Sequence, residues 1–354
     1  MVKLAKVVVS ASFAAALMCF ANATASQVRY EDSHNAMGTA FTIVAYGKDQ
    51  VYLSEVVREV WDEIDRLDAQ MSNYKLQSEL SAINRDAARH AVMVEPRLFE
   101  LIQDSLRYSK ETGGAFDITV GPLLKAWGFF RGQGRVPSDA ELAKIMRGIG
   151  YQHVLLDPAR REIRFDKRGI ELDLGAIAKG YALDRAANIL RSQGVASALI
   201  SSGSSSLYAI GSPPGEPGWK VSIRDPFDSK KAADTVLIRN FSLGVSGDYE
   251  KFFKLRGKIY SHIFDPKTGR PVEDMLSAAV LAPLGETSDA LSTSFYVMGP
   301  ARSRAYLNQH PDLRVIFYVP EKTAGTVKRI ELQSSSFNLP PDSLAEIEAQ
   351  HRAH

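Results

Sequence analysis

The sequence predicts an α+β fold of mixed, largely antiparallel sheets packed against helices. Strand runs of the antiparallel type occur together with a few long helices, whereas a doubly wound sheet would alternate strands and helices regularly. The 354 residues are 45% apolar and 24% charged, an ordinary globular composition that is sufficient for a large core. No internal repeat of solenoid length is present.

Four helices are predicted from their apolar spacing and end signals. Residues 51–72 place apolar side chains at helical intervals and predict an amphipathic helix. A polar connection leads to a second helix over 96–111. A third helix begins near Ile177 and ends at Gly194, because glycine commonly follows the last helical turn. A fourth helix carries Asp289 and continues into an apolar run.

The strands are predicted from short runs of β-branched and aromatic residues. Three consecutive runs, 153–157, 162–166 and 169–175, indicate a meander. Residues 112–130 are rich in glycine and aromatic residues and indicate a loop with short ordered pieces. The other predicted strands are 37–47, 197–203, 219–225, 235–247, 258–265, 277–283 and 314–319. Since no linker divides the chain, we predict one domain over 26–334 and a loosely packed polar tail over 335–354.

Residues 1–25 have the features of a secretory signal peptide. Two lysines precede the charge-free apolar stretch 7–20, and a small-x-small cleavage pattern ends at Ala25. The stretch is too short to span a bilayer comfortably. Cys19, the only cysteine, raises the alternative of a lipoprotein, but Met18 stands where a lipobox requires a small residue. We therefore expect a soluble periplasmic protein without cysteine rather than a lipid-anchored one.

Several function classes are disfavoured by what the sequence lacks. The formal net charge of +2 and the absence of a basic run argue against binding to nucleic acid. The seven histidines show no metal-ligand spacing, and no P-loop or nucleophile elbow is present. Any chemistry must therefore come from less familiar combinations of residues.

Asp289 and Thr293 lie four residues apart and so share one face of a predicted helix. A carboxylate and a hydroxyl on adjacent turns are oxygen ligands of the kind that Mg²⁺ prefers. The alternative is structural: Asp289 would cap the helix, and Thr293 would be buried and bonded to its own helix. The pattern alone leaves both interpretations open.

Two further segments could contact a ligand. Asp173 ends a predicted strand, and Lys179 lies in the first turn of the following helix, where N–H groups attract anions. The alternative is a capped helix with an exposed lysine. In 112–118, "TGGAFDI", paired glycines permit close backbone approach, while Phe116 and Asp117 offer an aromatic face and an acceptor; a tight turn before a core strand explains them equally well. His262, in a mostly apolar run, is either a buried strand histidine or a catalyst.

Together these segments resemble the FAD:protein FMN transferases, the ApbE family. The resemblance runs from about Met37 to Val319. It is carried in the family's order by "MGT", "SNYKLQSELSAIN", "TGGAFDITVGPLLKAWGF", "ELDLGAIAKGYALD", "SGDYEKFF", "YSHIFDPKTGRPV" and "SDALSTSFYVMG". Seven ordered blocks, several of ten residues or more, make a specific match.

The resemblance implies a fold, a reaction and a site. An ApbE-like fold would place FAD in the cleft between two subdomains. Members of the family bind FAD with Mg²⁺ and transfer its FMN half to a Thr or Ser hydroxyl of another protein, releasing AMP. The implied metal ligands are Asp289, Thr293 and the carbonyl of Ala176, with Ser292 at the same corner. The implied flavin-nucleotide contacts are Met37, Tyr74, Ala115, Phe116, Asp117, Asp173, Lys179, Ser246, His262 and Ile263.

The implied reaction needs a proton acceptor for the attacking hydroxyl. His262 is the preferred general base, since the unperturbed pKa of histidine lies near neutrality. Asp289 could share that task while it holds the metal. The implied acceptor is an exported or membrane-anchored flavoprotein with a Thr-containing motif.

One block departs from the family pattern. Residues 200–211, "ISSGSSSLYAIG", keep Gly203 but carry Ser204 and Ser205 where relatives commonly show a second glycine and an acid or amide. This difference bears on nucleotide affinity more than on the reaction class. Two alternatives to the transferase stay open: a hydrolase that splits FAD into FMN and AMP, and a carrier that binds FAD without chemistry.

Overall fold

The computed structural model describes residues 27–132, 134–248, 251–321, 323, 325–334 and 337. The predicted signal peptide and, apart from Phe337, the predicted tail lie outside the described residues. Within the described ranges, no helix combines the length and the apolar character needed to cross a bilayer.

The helices, in chain order, are α1 (Gln50–Met71), α2 (Glu79–Asp86), α3 (Pro96–Glu111), α4 (Gly121–Ala126), α5 (Asp139–Met146), α6 (Ala178–Ser192) and α7 (Gly285–Leu307). The strands are β1 (Val28–Ala36), β2 (Thr39–Gly47), β3 (Val92–Met93), β4 (Val154–Asp157), β5 (Glu162–Phe165), β6 (Ser197–Ser202), β7 (Ser206–Ile210), β8 (Trp219–Arg224), β9 (Ala232–Ile238), β10 (Ser242–Gly247), β11 (Phe252–Leu255), β12 (Lys258–Ser261), β13 (Phe264–Asp265), β14 (Arg270–Pro271), β15 (Ser277–Ala282), β16 (Arg314–Pro320) and β17 (Val327–Gln333).

The centre of the fold is an eight-stranded sheet in the order β1-β2-β6-β7-β10-β15-β16-β17. Every neighbouring pair in it is antiparallel. A second, three-stranded sheet has the order β3-β5-β4, and β8 pairs with β9. These features confirm the predicted α+β class with largely antiparallel sheets.

Each face of the large sheet has its own apolar core, because successive strand residues point to opposite faces. Ala278 and Val280 of β15 join the larger core, which includes buried residues of α1, α3, α6 and α7. Ala279 and Leu281 face the other way and pack with Trp219 and its neighbours on the β8–β9 hairpin. Both β10 and β15 are buried along their whole lengths, as strands covered on both faces must be.

A smaller apolar cluster lies apart from the two sheet cores. It contains Leu123, Trp127, Leu142, Ile149 and Phe264, drawn from α4, α5 and β13 and the segments beside them. The indole N–H of Trp127 donates to the carbonyl of Gly269 at 3.0 Å, which ties α4 to the turn between β13 and β14. The candidate site opens between this cluster and the larger core.

The structure corrects the strand assignments at several points. Residues 169–175 form only a single bridge between Glu171 and Val120, and the third strand of the small sheet is β3 instead. The predicted strand 235–247 is two strands in different sheets, because Asn240 turns the chain with a φ of 54°. The predicted strand 258–265 is likewise two strands in different sheets, β12 and β13. The strands that were not predicted are β1, β3, β7, β11, β14 and β17.

Three short helices were also not predicted, namely α2, α5 and α4, the last of which lies in the segment expected to be a loop with short ordered pieces. α2 lies inside the supposed polar connection and is capped by Ser78, whose hydroxyl accepts from the N–H of Ser81 at 3.0 Å. α5 is capped in the same way by Ser138. α2 and α5 are eight residues long and α4 is six, so each is too short for a clear apolar periodicity.

Candidate active site

A cavity of about 750 Å³ lies between the larger core and the small apolar cluster. Its apolar lining comes from both sides, with Phe116 and Leu174 on one side and Leu124 and Phe129 on the other. The volume lies within the range of small-molecule sites. Every candidate residue from the sequence except Ser292 lines this cavity.

The helices α6 and α7 meet beside the cavity and cap each other. The N–H groups of Gly285 and Glu286, at the start of α7, donate to the carboxylate of Asp184 on α6 at 2.6 and 2.9 Å. In return, the N–H of Gly180, in the first turn of α6, donates to Oδ2 of Asp289 at 2.9 Å. Asp289 therefore lies in the second turn of α7, and the interpretation in which it caps that helix is wrong. Asp184 caps the helix instead.

Two glycines allow this close crossing. A Cβ on Gly180 would lie 2.0 Å from the carbonyl oxygen of Gly285 and 2.7 Å from the Cβ of Asp289. A Cβ on Gly285 would lie 2.3 Å from the carbonyl oxygen of Gly180. Since real side chains do not fit at such distances, glycine at both positions is a condition for placing the Asp289 carboxylate against α6.

We expect Gly180→Ala to destabilise the protein by about 1–3 kcal/mol, since the added methyl group must push two helix backbones apart. The loss is measured by urea unfolding. Asn188→Ala serves as the control, because Asn188 is an exposed residue of the same helix. An unchanged midpoint for Gly180→Ala would contradict the close crossing.

The Asp289 carboxylate is buried without a cation partner. Its side chain is 4% exposed, and besides the Gly180 contact its Oδ1 accepts from the hydroxyl of Ser206 at 2.7 Å. It forms no ion pair with any residue in the described ranges. A buried carboxylate that has only neutral donors is costly, and its remaining lone pairs can take a cation.

Three hydroxyl groups surround the same corner. The Oγ of Ser246, at the end of β10, lies 3.1 Å from Oγ1 of Thr293 and 2.8 Å from Oγ of Ser292. Ser292 also donates to the carbonyl of Asp289 at 2.9 Å and is fully buried behind the cavity wall. Ser246 and Thr293 therefore present oxygen atoms to the cavity, and Ser292 supports them from behind.

Lys179 and Ala176 line the same cavity. Ala176 belongs to the turn before α6, and Lys179 lies in its first turn, so both lie at the helix N-terminus. The ammonium of Lys179 donates to the hydroxyl of Ser205, one of the serines in the segment 200–211 that differs from the family pattern. This serine block therefore faces the cavity and positions the lysine.

Asp173 lies at another part of the wall. Its Oδ1 accepts from the N–H of Gly175 at 2.9 Å, and its other oxygen accepts from the side-chain amide of Asn73. Burial raises the pKa of Asp173, although these donors oppose the shift. The carboxylate is thus held in a fixed orientation at the cavity.

The segment 115–117 is organised by its own aspartate. Oδ1 of Asp117 accepts from the N–H and the hydroxyl of Thr119 at 2.8 and 2.7 Å, and Oδ2 accepts from the N–H of Tyr151 at 2.9 Å. Burial raises the pKa of Asp117. Because both oxygens already accept bonds from the protein, Asp117 shapes the loop that presents Ala115 and Phe116 to the cavity.

His262 follows β12 and is held by the main chain. Its Nδ1 lies 3.0 Å from the carbonyl oxygen of Lys251, so the neutral ring carries its proton there and leaves Nε2 as an acceptor. Burial, together with the positive charges of Lys251 and Lys179, lowers the pKa of His262 to about 4. The ring is therefore neutral at physiological pH, and its basicity is lower than the sequence argument assumed.

Three further candidates, Met37, Ile263 and Tyr74, also lie on the cavity wall. Met37 occupies the β1–β2 turn with a φ of 50°. Ile263 is buried beside His262. Tyr74 is 59% exposed, and its ring stacks on Phe130 with the ring centres 4.3 Å apart and the planes 8° from parallel.

Several cavity residues were not among the candidates. Asn73 lies inside the family-like block "SNYKLQSELSAIN" and Lys251 inside "SGDYEKFF", so the resemblance to the family already marked the segments that contain them. Arg224 ends β8, on the far face of the large sheet, and also lines the cavity. No local pattern in "WKVSIRD" marks it, because its position depends on how the β8–β9 hairpin folds over the sheet.

Comparisons with a family model, with named relatives and with solved structures all point to the same family. The ApbE family model matches residues 37–317. The chain is 30% identical over 330 residues to a protein of Treponema pallidum named FAD:protein FMN transferase, covering 88% of this chain and 91% of that one. A crystal structure of the ApbE protein from Thermotoga maritima is similar with a TM-score of 0.78 and 30% identity, covering 87% of this chain and 98% of that chain. The flavin transferase ApbE from Vibrio cholerae is similar with a TM-score of 0.76 and 28% identity, covering 88% and 98%. The chain belongs to the ApbE family.

Proposed function

We propose that this chain transfers the FMN part of FAD to a Thr or Ser hydroxyl of another protein and releases AMP. The hydroxyl oxygen would form a bond to the phosphorus of the FMN phosphate, while the bond from that phosphorus to the bridging oxygen breaks. AMP leaves with the bridging oxygen, and the hydroxyl proton passes to a base. The observation that carries the proposal is the buried, unpaired Asp289 carboxylate at the α6–α7 crossing, in a chain that belongs to the ApbE family.

The cavity suits the two chemical halves of FAD. Its apolar and aromatic lining, which includes Phe116 and Leu124, is appropriate for an isoalloxazine ring. Its polar corner combines the N-terminus of α6 with Lys179, a combination that attracts the negative charge of a diphosphate. Lys251 adds a further cation to the wall.

The oxygen donors at the α6–α7 crossing suit Mg²⁺. Mg²⁺ is commonly held by one or two carboxylates together with substrate phosphates. In the described part of the chain, no group of three or more His, Cys, Asp or Glu could hold a metal, so a site here must rely on one carboxylate and neutral oxygens. Asp289, Thr293 and the carbonyl of Ala176 would hold the ion. When bound, Mg²⁺ would neutralise phosphate charge and polarise the phosphorus centre.

Two side chains of the protein would supply the other requirements of the reaction, charge stabilisation and proton transfer. Lys179, held by Ser205, would stabilise charge on the diphosphate oxygens as the bond to AMP breaks. His262 would accept the proton of the attacking hydroxyl at Nε2, since Nδ1 is bonded to the carbonyl of Lys251. A bound diphosphate would raise the pKa of His262 from its low value in the free protein, because negative charge stabilises the protonated ring.

We further propose that the reaction takes place in the periplasm. The signal-peptide pattern of residues 1–25 supports export, and the acceptor would be an exported or membrane-anchored flavoprotein that displays a Thr-containing motif.

The proposal is tested by mixing the purified protein with FAD, MgCl₂ and candidate exported flavoproteins. We expect mass spectrometry to find FMN added to a Thr or Ser of one acceptor, with an equal amount of AMP released. Omitting the acceptor or adding EDTA is expected to stop the addition. Release of free FMN and AMP without an acceptor would instead indicate a hydrolase, and binding of FAD without AMP release would indicate a carrier.

A further inference from the structure

A second concave surface lies on the opposite side of α4 from the FAD cavity. It is an open groove of about 1000 Å³. Pro122, Ile145, Met146 and Ile149 give it apolar parts. We name it the basic groove because its charged lining includes Lys144, Arg147, Lys167 and Arg168.

The charge of the basic groove is strongly positive. All four cations are exposed, and none forms an ion pair with a residue in the described ranges. Of the nearby carboxylates, Glu141 pairs with Arg135, whereas Asp166 contacts the ring of His153, whose other nitrogen accepts a hydrogen bond from the ammonium of Lys167 at 2.9 Å. The whole chain has a formal net charge of only +2, so four cations without a carboxylate partner in one groove are a local concentration of positive charge rather than a property of the whole surface.

The basic groove and the FAD cavity share walls. Pro122 of α4 lines the groove, whereas Leu124, two residues further, lines the cavity. On another side, Met146 lines the groove and lies against Gly269, where a Cβ would come within 2.6 Å of its sulfur. Pro266, three residues before Gly269 in the same turn, lines the cavity. A polypeptide leaving the groove over this turn would therefore reach the cavity within about 11 Å, a span of three or four extended residues.

We propose that the basic groove binds an acidic segment of the acceptor protein, near in sequence to the hydroxyl that receives FMN. The inference rests on the proposed transferase function, since only a protein acceptor needs a docking surface outside the cavity. Carboxylates of the segment would pair with the four cations, and its apolar side chains would contact Ile145 and Ile149. A concave groove suits an extended peptide better than the flat surface of an anionic membrane.

The first test measures binding alone. The full-length protein is titrated with a fluorescein-labelled peptide that alternates Glu with small apolar residues, and with a matched peptide in which Gln replaces Glu. We expect the Glu peptide to bind more tightly, with an affinity that falls as salt is added. Replacing Lys144, Arg147, Lys167 and Arg168 together by Gln should raise its Kd about tenfold or more, since each exposed pair contributes modestly.

A control variant removes the same charge elsewhere: Lys48, Lys220, Lys230 and Lys328 are replaced by Gln. It should bind the Glu peptide as the wild type does. Equal Kd values for the Glu and Gln peptides, or equal losses in the two variants, would overturn the proposal. So would groove-dependent binding of phosphatidylglycerol vesicles without binding of the peptide, which would indicate a membrane contact.

The second test adds catalysis. A peptide with one Thr and an acidic stretch a few residues away is compared with its Gln counterpart as an FMN acceptor. We expect the KM for the acidic peptide to be about tenfold lower with the wild type, and this advantage to vanish in the groove variant while the affinity for FAD is unchanged. If no acceptor receives FMN but the Glu peptide still binds in the groove, the transferase proposal fails and the peptide site stands. If both peptides receive FMN with equal KM, the groove proposal fails alone.

Discussion

Replacing Asp289 by alanine is expected to lower Mg²⁺-dependent FMN transfer by roughly 10³-fold or more. This carboxylate is the only acid among the proposed ion ligands, so its loss leaves neutral oxygens, which hold Mg²⁺ weakly. Asp289→Asn should behave similarly, because an amide keeps the shape of the side chain but not its charge. The rate is followed by the release of AMP, and Mg²⁺ binding is measured separately by titration calorimetry in the presence of FAD.

Asp184→Asn provides the matched control. Asp184 belongs to the same helix crossing and caps α7, but it does not line the cavity. This change should lower the free energy of unfolding while the Mg²⁺ concentration for half-maximal activity stays unchanged. Full activity of Asp289→Ala, or an equal shift in the Mg²⁺ requirement of Asp184→Asn, would refute the assignment of Asp289 as the ion ligand.

Replacing His262 by asparagine is expected to slow FMN transfer by ~10²–10⁴-fold, the usual contribution of a general base. Asparagine can still donate to the carbonyl of Lys251, so the β12 region should keep its position and FAD should bind nearly as before. FAD affinity is measured by flavin fluorescence, and transfer is measured by a single-turnover assay with saturating FAD.

The pH profile gives an independent readout for His262. The pKa of His262 in the free protein is about 4, so the ring is neutral above about pH 5. We expect kcat/KM to be level between about pH 6 and pH 8 and to fall below pH 5 as the ring becomes protonated. Asn at this position should remove that acid limb.

The low pKa of His262 also affects stability. Because it lies below the unfolded value of 6.5, the unfolded chain binds more protons, and this group's contribution to stability falls as the pH drops from about 6.5 to 4.

His90→Asn is the control for the rate and the pH profile, since the His90 ring nitrogen lies 3.1 Å from the carbonyl oxygen of Ala91 but the residue is not part of the cavity. An unchanged rate and pH profile for His262→Asn would remove this residue from the mechanism.

The long elements could be predicted from the sequence because their periodicity extends over many turns. α3 has the predicted bounds, Pro96–Glu111, and α6 differs from the prediction by one or two residues at each end. The length of an element decided whether it could be predicted. α2 and α5 have too few apolar residues to show a helical period, and β3 has only two residues. The break at Asn240 was not predicted, because strand-like runs lie on both sides of it and a single Asn, although it tolerates a positive φ, does not by itself mark a change of sheet.

Residue types indicated which parts of the chain could contact a ligand, but not how they meet. The spacing of Asp289 and Thr293 makes them candidate oxygen ligands, whereas the contact between Asp289 and Gly180 joins residues 109 positions apart. The low pKa of His262 likewise depends on Lys179 and Lys251, which the tertiary fold brings near the ring. Such long-range effects follow from packing, and local sequence patterns do not contain them.

The mutual capping of α6 and α7 means that the corner proposed to bind Mg²⁺ is already formed in the protein without a ligand. Neither helix can slide along the other without breaking a charge-assisted hydrogen bond. The backbones at Gly180 and Gly285 are already in close contact, so the helices cannot move closer together. A corner that is already rigid loses little conformational entropy when FAD enters. In the proposed reaction, more of the binding energy is then available to hold the weakly nucleophilic hydroxyl close to the phosphorus atom.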